Sequence, residues 1–153
     1  MGSNARAVLE KFVETIRTVN GGNDYTYNLS DTHDRVLGAS VWPPSVLPCV
    51  MIQDTSISSE HQGASGRYKR RMDITLIGWV ASAENTPGSR ALAACDLLDD
   101  VMLAIEADRT VGGTVLDVIF TNTTAIDGFE ETGAELGAFG AIASVYWLVT
   151  TGV

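Results

Sequence analysis

The apolar pattern of residues 137–152 is the feature that most constrains the fold of this 153-residue chain. In this segment both sets of alternating positions carry apolar residues, and one of the two sets includes Ile142, Tyr146 and Leu148. A strand that is apolar on both faces lies between two layers or in an interface, so we expect the second face to be covered. On the other face every second residue is apolar, as is typical of a strand packed on a core: Phe139, Ala141, Ala143, Val145, Trp147 and Val149.

A second long strand is predicted at residues 68–81, where apolar and polar residues also alternate. Its predicted core face carries Met72, Ile74, Leu76 and Val80. Ile77 and Trp79 fall on the opposite face. The far end of this strand therefore needs a cover, which is either the second helix or another subunit.

The first of two predicted helices begins near the N-terminus. Ser3 or Asn4 is suited to cap it, and Gly21 with Gly22 is expected to end it. Its apolar residues recur at three- and four-residue spacing, which predicts a one-faced amphipathic helix: Val8, Leu9, Phe12, Val13, Ile16 and Val19.

The second helix is predicted to have Thr86 as its N-cap and Pro87 at its first position. We expect Asp96, Asp99 and Asp100 on a solvated face, with a metal site as the alternative. The predicted buried stripe consists of Leu92, Cys95, Leu98, Met102 and Ile105, with Val101 beside it.

Three shorter segments are also predicted to be strands: residues 25–29, 46–54 and 115–124. Small and polar residues then predict a long flexible loop at about 55–67, because loops of this length in small domains are usually functional or disordered. The order of elements predicts an α+β fold, with a two-layer, mostly antiparallel sheet of four to five strands packed against two helices. A chain of this size holds one core, so residues 1–153 are expected to form a single domain.

Charge is distributed unevenly along the chain, whose net charge is −9. Arg67, Lys69, Arg70 and Arg71 supply four of its ten basic residues. The acidic C-terminal half argues against specific nucleic-acid binding, since affinity for phosphates rests on Lys and Arg. The basic cluster is suited to an acidic protein surface. Two alternatives are base stacking on Tyr68 and protection of an edge strand.

No catalytic residue, metal ligand set or cofactor site is predicted. His33 lies beside Asp31 and Asp34, which suits either a general base or simply a polar turn. Ser40 and Ser65 lack the strand, elbow and helix that expose a nucleophilic serine.

The two cysteines and the hydropathy pattern bear on the environment of the protein. Cys49 and Cys95 occur in apolar segments and are expected to be buried thiols, with a disulfide or a metal pair as the alternative. No apolar run reaches the roughly 18 residues of a spanning helix. We expect a soluble protein made in the cytosol.

The whole pattern resembles the tail terminator proteins of long-tailed bacteriophages. The resemblance is carried by the N-terminal amphipathic helix, "LPCVMIQD" with an adjacent long polar loop, the strand "RRMDITLIGWV", the helix "RALAACDLLDDVMLAI" and a final pair of strands. It implies a non-enzymatic virion protein without cofactors. Such a protein forms a ring, typically a hexamer, that caps the tail tube, stops its polymerisation and offers a surface for joining to the head connector.

This resemblance implies a set of partners and a location. The partners are other copies of the chain, the tail tube protein and the head–tail connector, and the ring offers a path for genome DNA. The protein is expected to be assembled in the host cytoplasm and to reside in the tail or neck of the virion. The expected protein interface comprises Arg67, Lys69, Arg70, Arg71, Trp79, Tyr146 and Leu148.

Two other functions are consistent with the sequence. One is a different phage neck or head-completion protein, which shares the size, the acidity and the ring. The other is a small enzyme or ligand-binding module with His33 or Ser65 at its site.

Overall fold

A computed structural model describes residues 4–22, 24–31, 35–36, 46–61, 66–81, 87–111, 115, 117–127 and 136–150. The elements are α1 (Ala5–Ile16), β1 (Cys49–His61), β2 (Arg67–Ala81), α2 (Pro87–Ala107), β3 (Asp117–Asp127) and β4 (Leu136–Thr150). The strands form one antiparallel sheet in the order β1-β2-β4-β3. The two helices pack on the sheet, so the predicted α+β fold with a four-stranded antiparallel sheet is confirmed.

The face of the sheet that meets the helices is called the inner face here. On β2 and β4 it carries the alternating residues that the sequence predicted to be core, among them Ile74, Leu76, Ala143 and Val145, all buried. Phe139 also lies on this face, directly across from Gly78. A Cβ at Gly78 would lie 1.9 Å from the Phe139 ring, so only glycine leaves room for the ring there.

Helix α1 begins as the sequence predicted. The Asn4 side chain accepts a hydrogen bond of 2.9 Å from the backbone N–H of Ala7. The helix ends earlier than expected, at Ile16, with Arg17 as its C-cap. Val19 lies beyond the helix, yet it is buried, and its carbonyl accepts a 2.7 Å bond from the Leu29 N–H. The spacing of apolar residues extends past the end of the helix to Val19, because the segment that follows α1 also packs on the core.

The predicted flexible loop at 55–67 is wrong over most of its length. Strand β1 continues to His61, and β2 begins at Arg67, with paired residues from Thr55–Ile74 to His61–Tyr68. Residues 62–65 lie outside the described part of the chain. Residues 53–61 are exposed on both faces of an edge strand, so no burial pattern marks them as a strand. Pairing with the strongly patterned β2 extends the sheet through them.

The predicted strand at 25–29 is also absent. This segment forms only an isolated bridge between Asn20 and Asn28. Its aromatic residues instead pack beside the core, with Tyr25 and Tyr27 partly buried. The segment is held by a carboxylate of α2, which is described below.

The opposite face of the sheet, called the outer face, carries a small second cluster. Cys49, Trp79 and Ala138 occupy one row across β1, β2 and β4. Leu136 completes the buried part of the cluster, and Ile77 packs against it. The cover that the sequence required for Trp79 is thus provided by the chain itself.

Candidate subunit interface

The basic cluster lies at the end of the β1–β2 hairpin, which we define as residues 55–61 and 67–71. Register divides the cluster between the two faces of the sheet. Arg70 pairs with Trp147 and Ser59 on the inner face, whereas Lys69 and Arg71 pair with Leu148 and Tyr146 on the outer face. Arg67 also belongs to the outer set because it is an even number of residues from Lys69. The four cations therefore form two surfaces, although their closeness in sequence suggested one.

On the outer face, Tyr146 is the centre of a cationic group. The Lys69 Nζ lies 4.9 Å from the centroid of its ring, and the Arg71 Cζ lies 5.9 Å from it. Both distances are in the range of cation–π attraction. Leu148, two residues along β4, is 47% exposed. The predicted interface residues Lys69, Arg71, Tyr146 and Leu148 are therefore brought together on one face.

A carboxylate anchors this outer group. The Arg71 Nε donates to Asp73 Oδ1 at 2.8 Å, and the hydroxyl of the buried Ser144 donates to the same oxygen at 2.6 Å. The hydrogen bond from Ser144, followed by Arg71, holds the pKa of Asp73 below its usual value. Arg71 is therefore partly neutralised within the chain.

On the inner face, Arg70 has no carboxylate partner among the residues that the structure describes. Its residue is half-buried, and its buried Nε has no acceptor within the described part of the chain. Its cross-strand neighbour Trp147 is 1% exposed. Burying part of a guanidinium without a counter-ion costs free energy that hydration no longer offsets.

Apolar and aromatic side chains surround Arg70 along the inner face of the hairpin end. Tyr68 and His61 form a T-shaped pair with ring centroids 5.0 Å apart in the next row. Ile57 belongs to the row on the other side of Arg70 and is 51% exposed. The inner surface of the hairpin end thus combines one cation with exposed apolar and aromatic groups, and the hydroxyls of Thr55 and Ser59 lie on the same face.

Trp79 differs from the other predicted interface residues. It is only 6% exposed and lies in the second cluster, several rows from the hairpin end. Its ring packs with Cys49, Leu136 and Ala138 of its own chain, so it offers little surface to a neighbouring subunit.

Helix α2 is rotated relative to the prediction. Its exposed side carries Leu92, which is 68% exposed, Cys95 and Leu103, which is 42% exposed. Leu98, Val101 and Ile105 are buried as predicted, and Ala94 and Leu97 share the buried side with them. Cys49 is a buried free thiol as predicted, and burial raises its pKa to about 11. The prediction of burial was wrong for Cys95.

The three aspartates of α2 have two different environments. Asp96 and Asp99 are exposed, as predicted, and in the described residues neither takes part in an ion pair or hydrogen bond. Asp100, by contrast, is 3% exposed. Its carboxylate accepts hydrogen bonds from the Thr26 N–H, at 3.0 and 3.1 Å, and from the Tyr27 N–H at 2.8 Å. The solvated-face prediction is therefore wrong for Asp100.

The pKa of Asp100 is raised, chiefly because burial disfavours the charged form. The hydrogen bonds from Thr26 and Tyr27 act in the opposite direction, and the charges of Asp96 and Asp99 add to the increase. Asp100 thus fixes the segment after α1 to α2. Sequence reasoning missed this role because a buried aspartate within a run of acids has no distinctive spacing.

Three side chains were considered for chemistry from the sequence. His33, Ser40 and Ser65 fall outside the described residues. Among those that the structure describes, no three His, Cys, Asp or Glu side chains are grouped to hold a metal ion.

An open groove of about 530 Å³ lies between α2 and β3, and the guanidinium of Arg109 at its rim donates to Asp117 at 2.8 and 2.9 Å. Neither described helix has the length and apolar character needed to cross a membrane.

Taken together, the fold and these surfaces define a two-layer α+β domain with a cationic hairpin end and an acidic, partly apolar helix face. The chain matches no protein-family model and no curated protein sequence.

Proposed function

We propose that this protein is a ring-forming structural subunit of a phage tail that caps the tail tube, ends its polymerisation and presents a surface to the head connector. Support comes from the resemblance in element order and from the α+β fold with two helices on one antiparallel sheet. The single observation that carries the proposal is the pair of unmatched surfaces, the hairpin end and the exposed side of α2.

Two unlike surfaces favour a ring over a two-fold dimer. A subunit that joins through two different patches forms a head-to-tail contact, and such contacts generate a closed ring or an open filament. The net charge of −9 also suits a ring around a DNA path, since an acidic lumen repels the phosphate backbone. The outer cationic group around Tyr146 is available for the acidic surface of a different partner, such as the tail tube protein or the connector.

The proposal is tested by electron microscopy of phage lysates in which this chain is absent. Loss of a protein that ends tube growth gives tails longer than normal, whereas loss of another neck or head-completion protein leaves tail length unchanged. A map of the intact tail end should then contain a cyclic ring of about six copies at the tube terminus. Density for this chain along the tube, inside the capsid or nowhere in the virion contradicts the proposal.

A further inference from the structure

We infer that the inner surface of the hairpin end of one copy binds the exposed stripe of α2 of the next copy, with the half-buried Arg70 receiving the carboxylates of Asp96 and Asp99. This inference rests on the proposed ring, for which it names the two surfaces that meet.

The exposed stripe of α2 follows from helix geometry. Its members recur at alternating four- and three-residue intervals, which places them on one side of the helix. They are Leu92, Asp96, Asp99, Leu103 and Glu106, all exposed. Two leucines thus flank two aspartates. Exposed leucines at 68% and 42% are apolar surface that water solvates unfavourably.

The inner surface of the hairpin end has the complementary order. Arg70 is flanked by the row of Tyr68 and His61 on one side and by the row of Ile57 on the other. Rows on one face of a strand are about 7 Å apart. On α2, Asp96 and Asp99 are separated by about 4.5 Å along the axis, and each leucine lies about 6 Å beyond its nearest aspartate. A helix laid along the strands therefore brings both carboxylates to Arg70 and the leucines to Tyr68 and Ile57.

These surfaces do not meet within one chain. The α2 stripe points away from the sheet that α2 covers, since the opposite side of the helix is buried on the core. Arg70 belongs to that sheet, and its guanidinium forms no ion pair in the described residues. A carboxylate from a second copy offsets the desolvation of Arg70 without moving either element. Each copy carries both the hairpin surface and the α2 stripe. A copy that binds through one of these surfaces therefore still has the other available for the next copy.

The first test uses the native thiol of Cys95, which is exposed beside Asp96 on α2. A Ser59→Cys variant adds a second exposed thiol, which lies on the inner face opposite Arg70. Oxidation of the full-length protein at millimolar concentration should give a ladder of disulfide-linked oligomers, since a disulfide forms only where Cα atoms approach within about 7 Å. The ladder should disappear when Cys95→Ser is added.

The matched control is Ser58→Cys, one residue away on the outer face of the same exposed strand. Several-fold more cross-linking by the Ser59 variant than by the Ser58 variant supports the inference. Equal cross-linking, or none above the Ser58 control, overturns it. Both serines are exposed, so neither substitution removes a core contact.

Charge reversal gives an independent test. Arg70→Glu and Asp99→Arg should each weaken self-association about tenfold, measured by sedimentation, and the double variant should recover most of the loss. Arg6→Glu, an exposed cation on α1, is the control and should have no effect. Weakening without recovery in the double variant counts against direct pairing of these residues.

The outcomes separate this inference from the proposed function. Disulfides from the Ser59→Cys variant to Cys95 of a second copy, in a protein that is absent from tail ends, support the contact and reject the tail role. Overlong tails in lysates without the chain, combined with equal cross-linking of the two serine variants, support the tail role and reject this contact.

Discussion

Removal of the Asp100 carboxylate should destabilise the fold more than any change at the neighbouring acids. This carboxylate is 3% exposed and accepts hydrogen bonds from the backbone N–H groups of Thr26 and Tyr27. In Asp100→Ala the backbone N–H groups of Thr26 and Tyr27, which are partly buried, lose their acceptor. Water reaches such groups poorly, so the cost of desolvating them is no longer offset.

The magnitude follows from the number of donors. An unsatisfied buried donor costs about 1–3 kcal/mol, and the low end applies here because the two N–H groups are only partly buried. We therefore expect Asp100→Ala to lower the free energy of unfolding by about 2–3 kcal/mol. Asp100→Asn retains one acceptor oxygen and should lose about 1 kcal/mol. Asp99→Ala, at an exposed position, should stay within about 0.5 kcal/mol of the wild type.

Urea denaturation measures these differences directly, and thermal unfolding gives a second reading. At about 2–4 °C per kcal/mol for a chain of this length, Asp100→Ala should lower Tm by about 4–12 °C. Amide exchange of Thr26 and Tyr27 should accelerate in the same variant. A Tm for Asp100→Ala equal to that of Asp99→Ala would refute the anchoring role of this carboxylate.

The raised pKa of Asp100 adds a pH signature. An acid whose pKa is higher in the folded than in the unfolded state binds more protons when folded, so stability falls as pH rises between the two values. The stabilisation that comes from protonation of Asp100 in the folded state is complete below the ordinary aspartate pKa, and it is lost as pH rises through the raised pKa. Asp100→Asn lacks it, so the stability advantage of the wild type over this variant should shrink with rising pH. An advantage that grows with pH contradicts burial as the dominant cause.

Two further predictions concern packing and thiol reactivity. Gly78→Ala should lower the free energy of unfolding by about 1–3 kcal/mol in urea denaturation, because the new Cβ overlaps the Phe139 ring. A Cβ at Gly140 has no atom within 4 Å, so Gly140→Ala should lower the free energy of unfolding clearly less. An equal loss at the two glycines would refute the steric argument. In native protein Cys95 should react with iodoacetamide while Cys49, buried and with its pKa raised to about 11, should react only on unfolding, as mass spectrometry of labelled peptides will reveal. Equal labelling rates exclude this arrangement.

The sequence predicted the centre of the sheet well because the information there is local. Strict alternation in β2 and β4 needs a single buried face, and residues such as Ile74 and Val145 are buried as that pattern required. The start of α1 at Asn4 and that of α2 at Pro87 were likewise specified by short-range backbone chemistry.

The errors arose where burial depends on distant parts of the chain. Helix α2 packs on the sheet and also near the segment after α1, so its apolar residues are spread around the helix and do not define one phase. Leu92 and Cys95 were placed inside for that reason, and Asp100 was placed outside. The second half of β1 was missed because an edge strand with both faces exposed has no alternation to detect.

The placement of the predicted interface residues on the sheet could be deduced from the sequence only in part. Lys69, Arg71, Tyr146 and Leu148 share the outer face, in accordance with their grouping from the sequence. The separate position of Arg70 was deducible from the period of two residues along a strand. The isolation of its guanidinium was not, since that depends on which carboxylates the fold brings near.

The position of β4 within the sheet has a consequence for how the chain folds. This strand follows the others in sequence but lies between β2 and β3, and its pairing with β2 joins residues as distant as Arg67 and Thr150. Contacts of such long sequence separation form slowly, because a large loop must close before they gain any stability. Before β4 is in place, the β1–β2 hairpin and β3 share no hydrogen-bonded edge. Folding of the sheet should therefore be close to all-or-none, with the exposed edges of β2 and β3 vulnerable to aggregation until β4 inserts between them.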